Sequence, residues 1–285
     1  MTDSLHLESP AKVNLRLEIL KRREDGYHEL RTVLQKISIY DTLRFSLKKE
    51  KGISIVADHP KLPLGRKNLV YKAVQSMFKV CAYRGGVHIE IEKKIPLGAG
   101  LGGGSSNAAS TLMALNQLLE TNLSQKELME MGLGIGADVP FFFLNGAAIG
   151  SGIGEQLKKQ ELPSLWYVLV YPNFEVSTRW AYQHFVLTNQ QFRFNLHRFL
   201  KTPEGISRIL LNHLEEVVSK RYPEISLMKE LLLSVGAFGA LMTGSGPTVF
   251  GLFPEAKGAA GAYEKIKKLV GRRRWLVFKA RGITA

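Results

Sequence analysis

A chain of 285 residues, 45% hydrophobic and 22% charged, has the apolar material for one large globular domain or two modest ones, which excludes a disordered or fibrous protein. No apolar run approaches the roughly 20 residues needed to span a bilayer. Thirty-nine Lys and Arg against 25 Asp and Glu leave a formal charge of +14, which draws anions: nucleic acid, acidic membranes or phosphorylated metabolites.

The basic residues are scattered, with local clusters at Lys48, Lys49 and Lys51, at Lys265, Lys267 and Lys268, and at Arg272–Arg274. Such runs read as solvated faces and turns. No zinc-finger spacing or basic-aromatic strand accompanies them, so nucleic acid is not an expected partner. Residues 1–10 hold acids and no basic stretch leading into an apolar run, so no secretory signal is expected. The lone cysteine, Cys81, excludes an intramolecular disulfide and a cysteine-built metal site. Together these favour a reducing, cytoplasmic setting without a membrane partner.

In chain order, residues 6–20 alternate: Val13, Leu15, Leu17 and Ile19 are apolar, and Lys12, Asn14, Arg16 and Glu18 are polar. That pattern predicts a strand with one face buried. Arg23–Gly26 is turn chemistry. Leu34–Leu47 reads as further strand, broken near Asp41. Lys67–Lys79 carries apolar residues at helical spacing, and Val87–Ile95 alternates as a strand. After a glycine run, Ala108, Leu112, Leu115 and Leu119 mark a helix face, with Ser105 or Ser106 placed to cap it. Ser124–Met131 is a short helix opened by a capping box, Ser124 with Glu127. Val139–Leu144 and Leu165–Tyr171 read as buried strands or short helical segments.

A looser stretch, Ser151–Ser164, predicts a domain boundary, giving domains 1–155 and 156–285. Beyond it, a strand is expected over Trp166–Tyr171, and a helix opening at Ser177 or Thr178 within Val176–Val186. Helices are expected over 204–219 and 223–235, a glycine turn between apolar runs within Ala240–Phe253, a helix over Tyr263–Val270 and a closing strand over Trp275–Ala280. Strands and helices mix without regular alternation, which predicts an α+β fold.

The run Pro96-Leu97-Gly98-Ala99-Gly100-Leu101-Gly102-Gly103-Gly104-Ser105-Ser106 lies between a strand and a helix. Its glycines let backbone N–H groups crowd one anion, and the helix behind adds its dipole. The run reads as a phosphate cradle, with a flexible glycine linker as the alternative; a linker does not usually sit between a clean strand and a capped helix. Gly98, Gly100 and Gly103 satisfy the dinucleotide pattern G-x-G-x-x-G, but Pro96 intervenes after the strand and the surroundings are not βαβ. The Walker pattern needs a lysine after the glycines, and none follows. Lys12 is the candidate supplier, with Asn14 on the same strand face about 6.6 Å on. Against that stands an ordinary solvated strand face.

Asp138 follows Gly134 and Gly136 and precedes Pro140 and two phenylalanines. It reads either as a helix N-cap or as a carboxylate aimed at a substrate hydroxyl. Thr243-Gly244-Ser245-Gly246-Pro247-Thr248 is a second small-residue turn.

The N-terminal segment around Lys12, the glycine run and the C-terminal glycine turn, in that chain order, resemble the superfamily named for galactokinase, homoserine kinase, mevalonate kinase and phosphomevalonate kinase. Ser9-Pro10-Ala11-Lys12-Val13-Asn14-Leu15, Asp25-Gly26-Tyr27-His28, Gly136-Ala137-Asp138-Val139-Pro140-Phe141 and Thr243-Gly244-Ser245-Gly246-Pro247 are similar to the 4-diphosphocytidyl-2-C-methyl-D-erythritol kinase family. The similarity runs from about residue 8 to residue 253.

The resemblance implies an N-terminal ribosomal-S5-like α+β domain and a C-terminal ferredoxin-like α+β domain, with the active site in the cleft between them. It implies ATP-dependent phosphorylation of the 2-hydroxyl of a cytidine diphosphate-linked methylerythritol, on the non-mevalonate route to isoprenoids. Asp138 then corresponds to the proton acceptor and Lys12 to its charged partner, residues 96–106 to the ATP phosphate loop, and Asn14, Tyr27, His28, Thr178 and Tyr182 to the substrate site. Thr178 and Tyr182 stand at i,i+4, so one helix can offer both. Thr243, Gly244, Ser245 and Gly246 form the glycine turn near the site. Mg²⁺ is expected with ATP, its protein ligands open, with Ser106 a candidate.

Another kinase of the superfamily, acting on homoserine or a mevalonate derivative, is the nearest alternative; the Tyr27–His28 pair argues against it, because those substrates have no base to stack. A basic RNA-binding protein and a dinucleotide-binding oxidoreductase are alternatives from other classes.

Overall fold

A computed structural model describes residues 4–187, 196–271 and 273–284, and Arg272 of the basic run lies outside them. β1 (Ser4–Arg22) follows the predicted alternation but is not half exposed: every residue from Ala11 to Ile19 is buried. The polar row is paired internally instead of by water, with Glu18 Oε1 a buried atom left without a hydrogen bond. Lys12 Nζ donates to Asn14 Oδ1 at 2.7 Å, and Glu18, fully buried, receives Arg16 at 3.0 Å and Arg31 at 2.7 Å. A buried polar group costs little once it is paired, and its alternation then looks the same as that of a solvated face.

β2 (His28–Lys48) is one continuous strand. The expected break at Asp41 is absent, because the buried Asp41 carboxylate accepts the backbone N–H groups of Lys94 and Ile95, each at 2.9 Å. The next elements are β3 (Gly52–Ala57), α1 (Leu69–Val80), β4 (Gly86–Glu92), α2 (Gly103–Leu118) and α3 (Gln125–Leu133), then a 3₁₀ turn over Pro140–Phe143. Asn68 caps α1 through Val70 N at 2.9 Å, and Ser124 with Glu127 forms the predicted capping box on α3.

The stretch read as loose holds β5 (Ala147–Ser151) and β6 (Gln156–Gln160), an antiparallel hairpin closed at Ser151 and Gln156. Then come β7 (Trp166–Tyr171), α4 (Thr178–His184), α5 (Leu196–Phe199), α6 (Pro203–Ile209), β8 (Leu211–Asn212), α7 (His213–Arg221), α8 (Glu224–Ser234), β9 (Gly239–Met242), β10 (Val249–Phe253), α9 (Ala256–Leu269) and β11 (Leu276–Arg281). The long helix expected over 204–219 is interrupted by β8, and α9 starts seven residues before its expected Tyr263 (263 − 256).

The chain divides into two compact units. The first comprises Met1–Ala11, Ile39–Leu97 and Gly102–Leu144. In it β4 pairs antiparallel with β2 and parallel with β3, α1 packs on α2, and α3 follows against α2. The second comprises Lys12–Ser38, Gly98–Leu101 and Asn145–Ala285. There β5 pairs with the first half of β2, and β8 lies parallel to β1 with Leu17 opposite Asn212. Its main sheet is antiparallel in the order β11-β7-β10-β9, with α8 and α9 packed on it. That is the ferredoxin-like arrangement. Its core joins Val168 and Val170 of β7 to Met228 and Leu232 of α8 and Ile266 of α9. No helix among the described residues is long and apolar enough to cross a membrane.

Candidate active site

The glycine run bridges β4 and α2, but neither serine caps the helix. The N-cap is Gly102, left-handed at φ 71°, and no side chain bonds the first turn. The first N–H groups of a helix have no partner within it, so this uncapped end suits an anion. Ser105 and Ser106 fall in the first turn. Ser106 is fully buried, its Oγ 3.1 Å from Ser9 Oγ, which is 2.8 Å from Ser110 Oγ. That hydroxyl chain ties Ser106 to β1. Among the described residues no group of three His, Cys, Asp or Glu is arranged to hold a metal.

Asp138 is half-buried in the turn before the 3₁₀ segment. It is not an N-cap: Val139 occupies that position, with no side-chain cap bond. A Cβ on Gly136 would lie 4.0 Å from Ser105 Oγ, so the Asp138 turn runs beside the first turn of α2.

In the second unit Lys12 and the loop are joined directly. Lys12 N donates to Leu101 O at 2.9 Å. Its ammonium is held by Asn14, whose Nδ2 donates to Thr32 Oγ1 at 2.9 Å and whose backbone N–H donates to Thr243 Oγ1 at 3.0 Å. A Cβ on Gly244 would stand 3.4 Å from Lys12 Nζ. Gly100, at φ 76°, is held close to the same turn, since a Cβ there would be 2.5 Å from Thr243 O. Asn212 Nδ2 supports the turn from behind, donating to Met242 O at 2.7 Å and Gly244 O at 2.8 Å. The structure thus brings together Lys12, Asn14, Gly98–Leu101 and Thr243–Gly246. Thr32 and Asn212 are additional members. Asn212 was detectable only as a helix cap, a role it also fills by accepting from Leu214 N at 3.0 Å.

His28 and Tyr182 meet with ring centroids 5.2 Å apart, tilted by 32°. Tyr182 comes from α4, which Ser177 caps, and Thr178 at its start bonds Ser245 of the glycine turn at 2.7 Å between hydroxyl oxygens. Burial, assisted by the nearby Arg22, lowers the His28 pKa, so the imidazole is neutral at neutral pH. Tyr27 is 58% exposed in the preceding turn. Lys12 and Asp138 belong to different units.

Two family models match this chain, the GHMP kinases N terminal domain over residues 68–146 and the GHMP kinases C terminal over residues 196–271. The fold and the glycine loop therefore define a GHMP-type kinase. A 4-diphosphocytidyl-2-C-methyl-D-erythritol kinase of Syntrophotalea carbinolica is 46% identical over 270 residues, 94% of this chain and 96% of the relative. The same-named protein of Geobacter sulfurreducens is 44% identical, covering 98% of this chain and 99% of its own. A crystal structure of a 4-(cytidine 5'-diphospho)-2C-methyl-D-erythritol kinase superposes with a TM-score of 0.83 at 33% identity, over 98% of this chain and 99% of that one. A mevalonate kinase of Methanococcus jannaschii, 16% identical with a TM-score of 0.75, shares the fold. The chain belongs to the 4-diphosphocytidyl-2-C-methyl-D-erythritol kinase family.

Proposed function

We propose that this chain transfers the γ-phosphoryl group of ATP to the 2-hydroxyl of 4-diphosphocytidyl-2-C-methyl-D-erythritol, giving the 2-phosphate and ADP in non-mevalonate isoprenoid synthesis. As a member of its family it is an ATP-dependent kinase. The observation that carries the reading is the joining of Lys12 to the glycine loop through Leu101 O and to the glycine turn through Asn14 and Thr243. A cation is thereby tethered where polyphosphate charge is expected.

Phosphoryl transfer needs alignment and charge neutralisation more than covalent chemistry. The amides of residues 98–106 hold the ATP phosphates. Asp138 accepts the proton of the 2-hydroxyl, whose oxygen forms the new O–P bond as the bond to the leaving ADP oxygen breaks. Lys12 offsets the charge on the moving group. Mg²⁺ enters with ATP as part of that substrate. The His28–Tyr182 pair, with Tyr27 and Thr178 beside it in sequence, stacks on and hydrogen-bonds the cytosine. Binding energy from that non-reacting end aligns the hydroxyl.

We assign residues 1–155 to the ATP-binding half and 156–285 to the C-terminal half, supported by family matches that end at 146 and resume at 196; by contacts, residues 12–38, 98–101 and 145–155 group with the second half. We assign the chain to the cytoplasm, supported by its use of ATP and its single thiol. ADP release in the presence of the cytidine diphosphate-linked substrate, homoserine and mevalonate in parallel tests the reading. Turnover with the first alone is expected. Turnover with another acceptor removes His28, Tyr27 and Tyr182 as base-binding residues, and turnover with none overturns the proposal.

A further inference from the structure

We propose that Asp41 is a positioning residue that clamps the entry and the exit of the phosphate loop to each other. One carboxylate, fully buried, reaches both ends. Its Oδ1 accepts the N–H groups of Lys94 and Ile95, each at 2.9 Å, immediately before Pro96 opens the loop. Its Oδ2 accepts Asn107 Nδ2 at 2.9 Å, one turn into the helix that closes the loop. The same oxygen is paired with the Lys93 ammonium, whose side chain is almost wholly buried. Lys93 Nζ in turn donates to Asn107 Oδ1 at 3.3 Å, and a Cβ on Gly103 would stand 3.3 Å from it. Asp41, Lys93 and Asn107 thus form a closed triangle under the N-terminus of α2, with the third side of the carboxylate tied to the incoming chain.

The arrangement has a physical purpose in loop geometry. Gly98, Gly100 and Gly102 take left-handed φ values of 61°, 76° and 71°, and glycine is the residue with most conformational freedom to lose. A loop of this composition points its amides at one anion only if its ends are held, and preorganised donors are what phosphoryl transfer requires. Asp41 also settles the local charge. An ammonium beside a helix N-terminus is unfavourable and a carboxylate there is favourable, so the pair is tolerated only with its acid in place. A buried charge pair is a poor source of stability compared with apolar residues of the same volume, and its use here is in defining one geometry.

The inference rests on the ATP-loop reading above and deepens it. The test uses Asp41→Asn and Asn107→Leu. Asp41→Asn can keep both backbone bonds but turns its NH₂ toward the donors Asn107 Nδ2 and Lys93 Nζ. Asn107→Leu cuts only the helix arm and leaves the Asp41–Lys93 pair. ADP affinity, the KM for ATP, the KM for the cytidine diphosphate-linked substrate and thermal unfolding are measured on the full chain. Displacing loop donors is expected to weaken ADP binding and raise the ATP KM roughly tenfold or more in each folded variant, with the KM for the cytidine substrate changed less than about twofold. ADP affinity retained in a folded variant, or equal loss for both substrates, overturns the clamp. If Asp41→Asn does not fold, Asn107→Leu decides the matter alone. Failure of the unaltered chain to bind ADP would instead sink the ATP-loop reading.

Discussion

Gly100→Ala puts the loop geometry under the most direct strain. Gly100 has φ 76°, a conformation that costs an L side chain about 1–2 kcal/mol. Its Cβ would lie 2.5 Å from Thr243 O and 3.0 Å from Gly246 O. Both are backbone atoms, so a turn must move, and overpacking of that kind costs about 1–3 kcal/mol. The two effects sum to about 2–5 kcal/mol of strain. The chain can relieve it by unfolding more readily or by displacing the loop from its ligand. Urea denaturation and ADP titration on the same protein therefore have to be read together. The expected result is a combined loss of at least ~2 kcal/mol, where every ~1.4 kcal/mol of lost binding is tenfold in Kd. Gly104→Ala is the matched control. Its φ is not positive and the nearest atom to its Cβ, Leu69 Cδ1, is 3.7 Å away. Inside α2 alanine should hold stability or raise it by up to ~1 kcal/mol, so affinity lost there reports ligand approach to the backbone. Stability within ~0.5 kcal/mol and unchanged ADP affinity in Gly100→Ala would refute the reasoning.

Asp138→Asn should lower turnover roughly 10²–10⁴-fold while ADP binding by calorimetry stays the same; near-normal turnover removes Asp138 from the proton transfer. Tyr182→Ala deletes the ring facing His28 and should raise the KM for the cytidine substrate by roughly tenfold, the worth of one base–aromatic stack, and an unmoved KM would mean that another aromatic holds the base. Lys36 gives a pH test. Burial lowers its ammonium to about 8, below the ordinary lysine value of 10.5. The unfolded chain therefore binds the extra proton between those two values, and stability rises with pH through that window. Relative to Lys36→Met, the unaltered chain should gain about 1 kcal/mol from pH 7 to 9 in urea denaturation, and parallel curves at the two pH values would rule the shift out.

Local chemistry was legible where a few adjacent residues determine it. The α3 capping box, the α1 periodicity and the Lys12–Asn14 pairing on one strand face all follow from spacing, and the structure has each of them. What could not be read depends on partners far away in sequence. The Asp41 strand survives because Lys94 and Ile95 supply donors more than fifty residues on, at separations of 53 and 54. Thr32 gives no signal by itself; it matters because Asn14 Nδ2 lands on its hydroxyl. Ser106 looked like a cap because serine usually is one before a helix, yet Gly102 takes the cap position and Ser106 turns to Ser9. The hairpin at Ser151–Gln156 was hidden by its glycines, since Gly152 and Gly154 are turn residues in a hairpin as much as in a linker.

The polar row of β1 has a consequence for how this enzyme can drift. A strand with one wet face normally accepts change at every second position, and saturation mutagenesis records it as a striped pattern of tolerance. Between Ala11 and Ile19 both faces are buried and the four polar residues hold one another or their neighbours. The stripe should vanish there, leaving a solid intolerant band. Laboratory evolution of this chain then has to find its new variants elsewhere, because each polar position in that band can change only together with its partner.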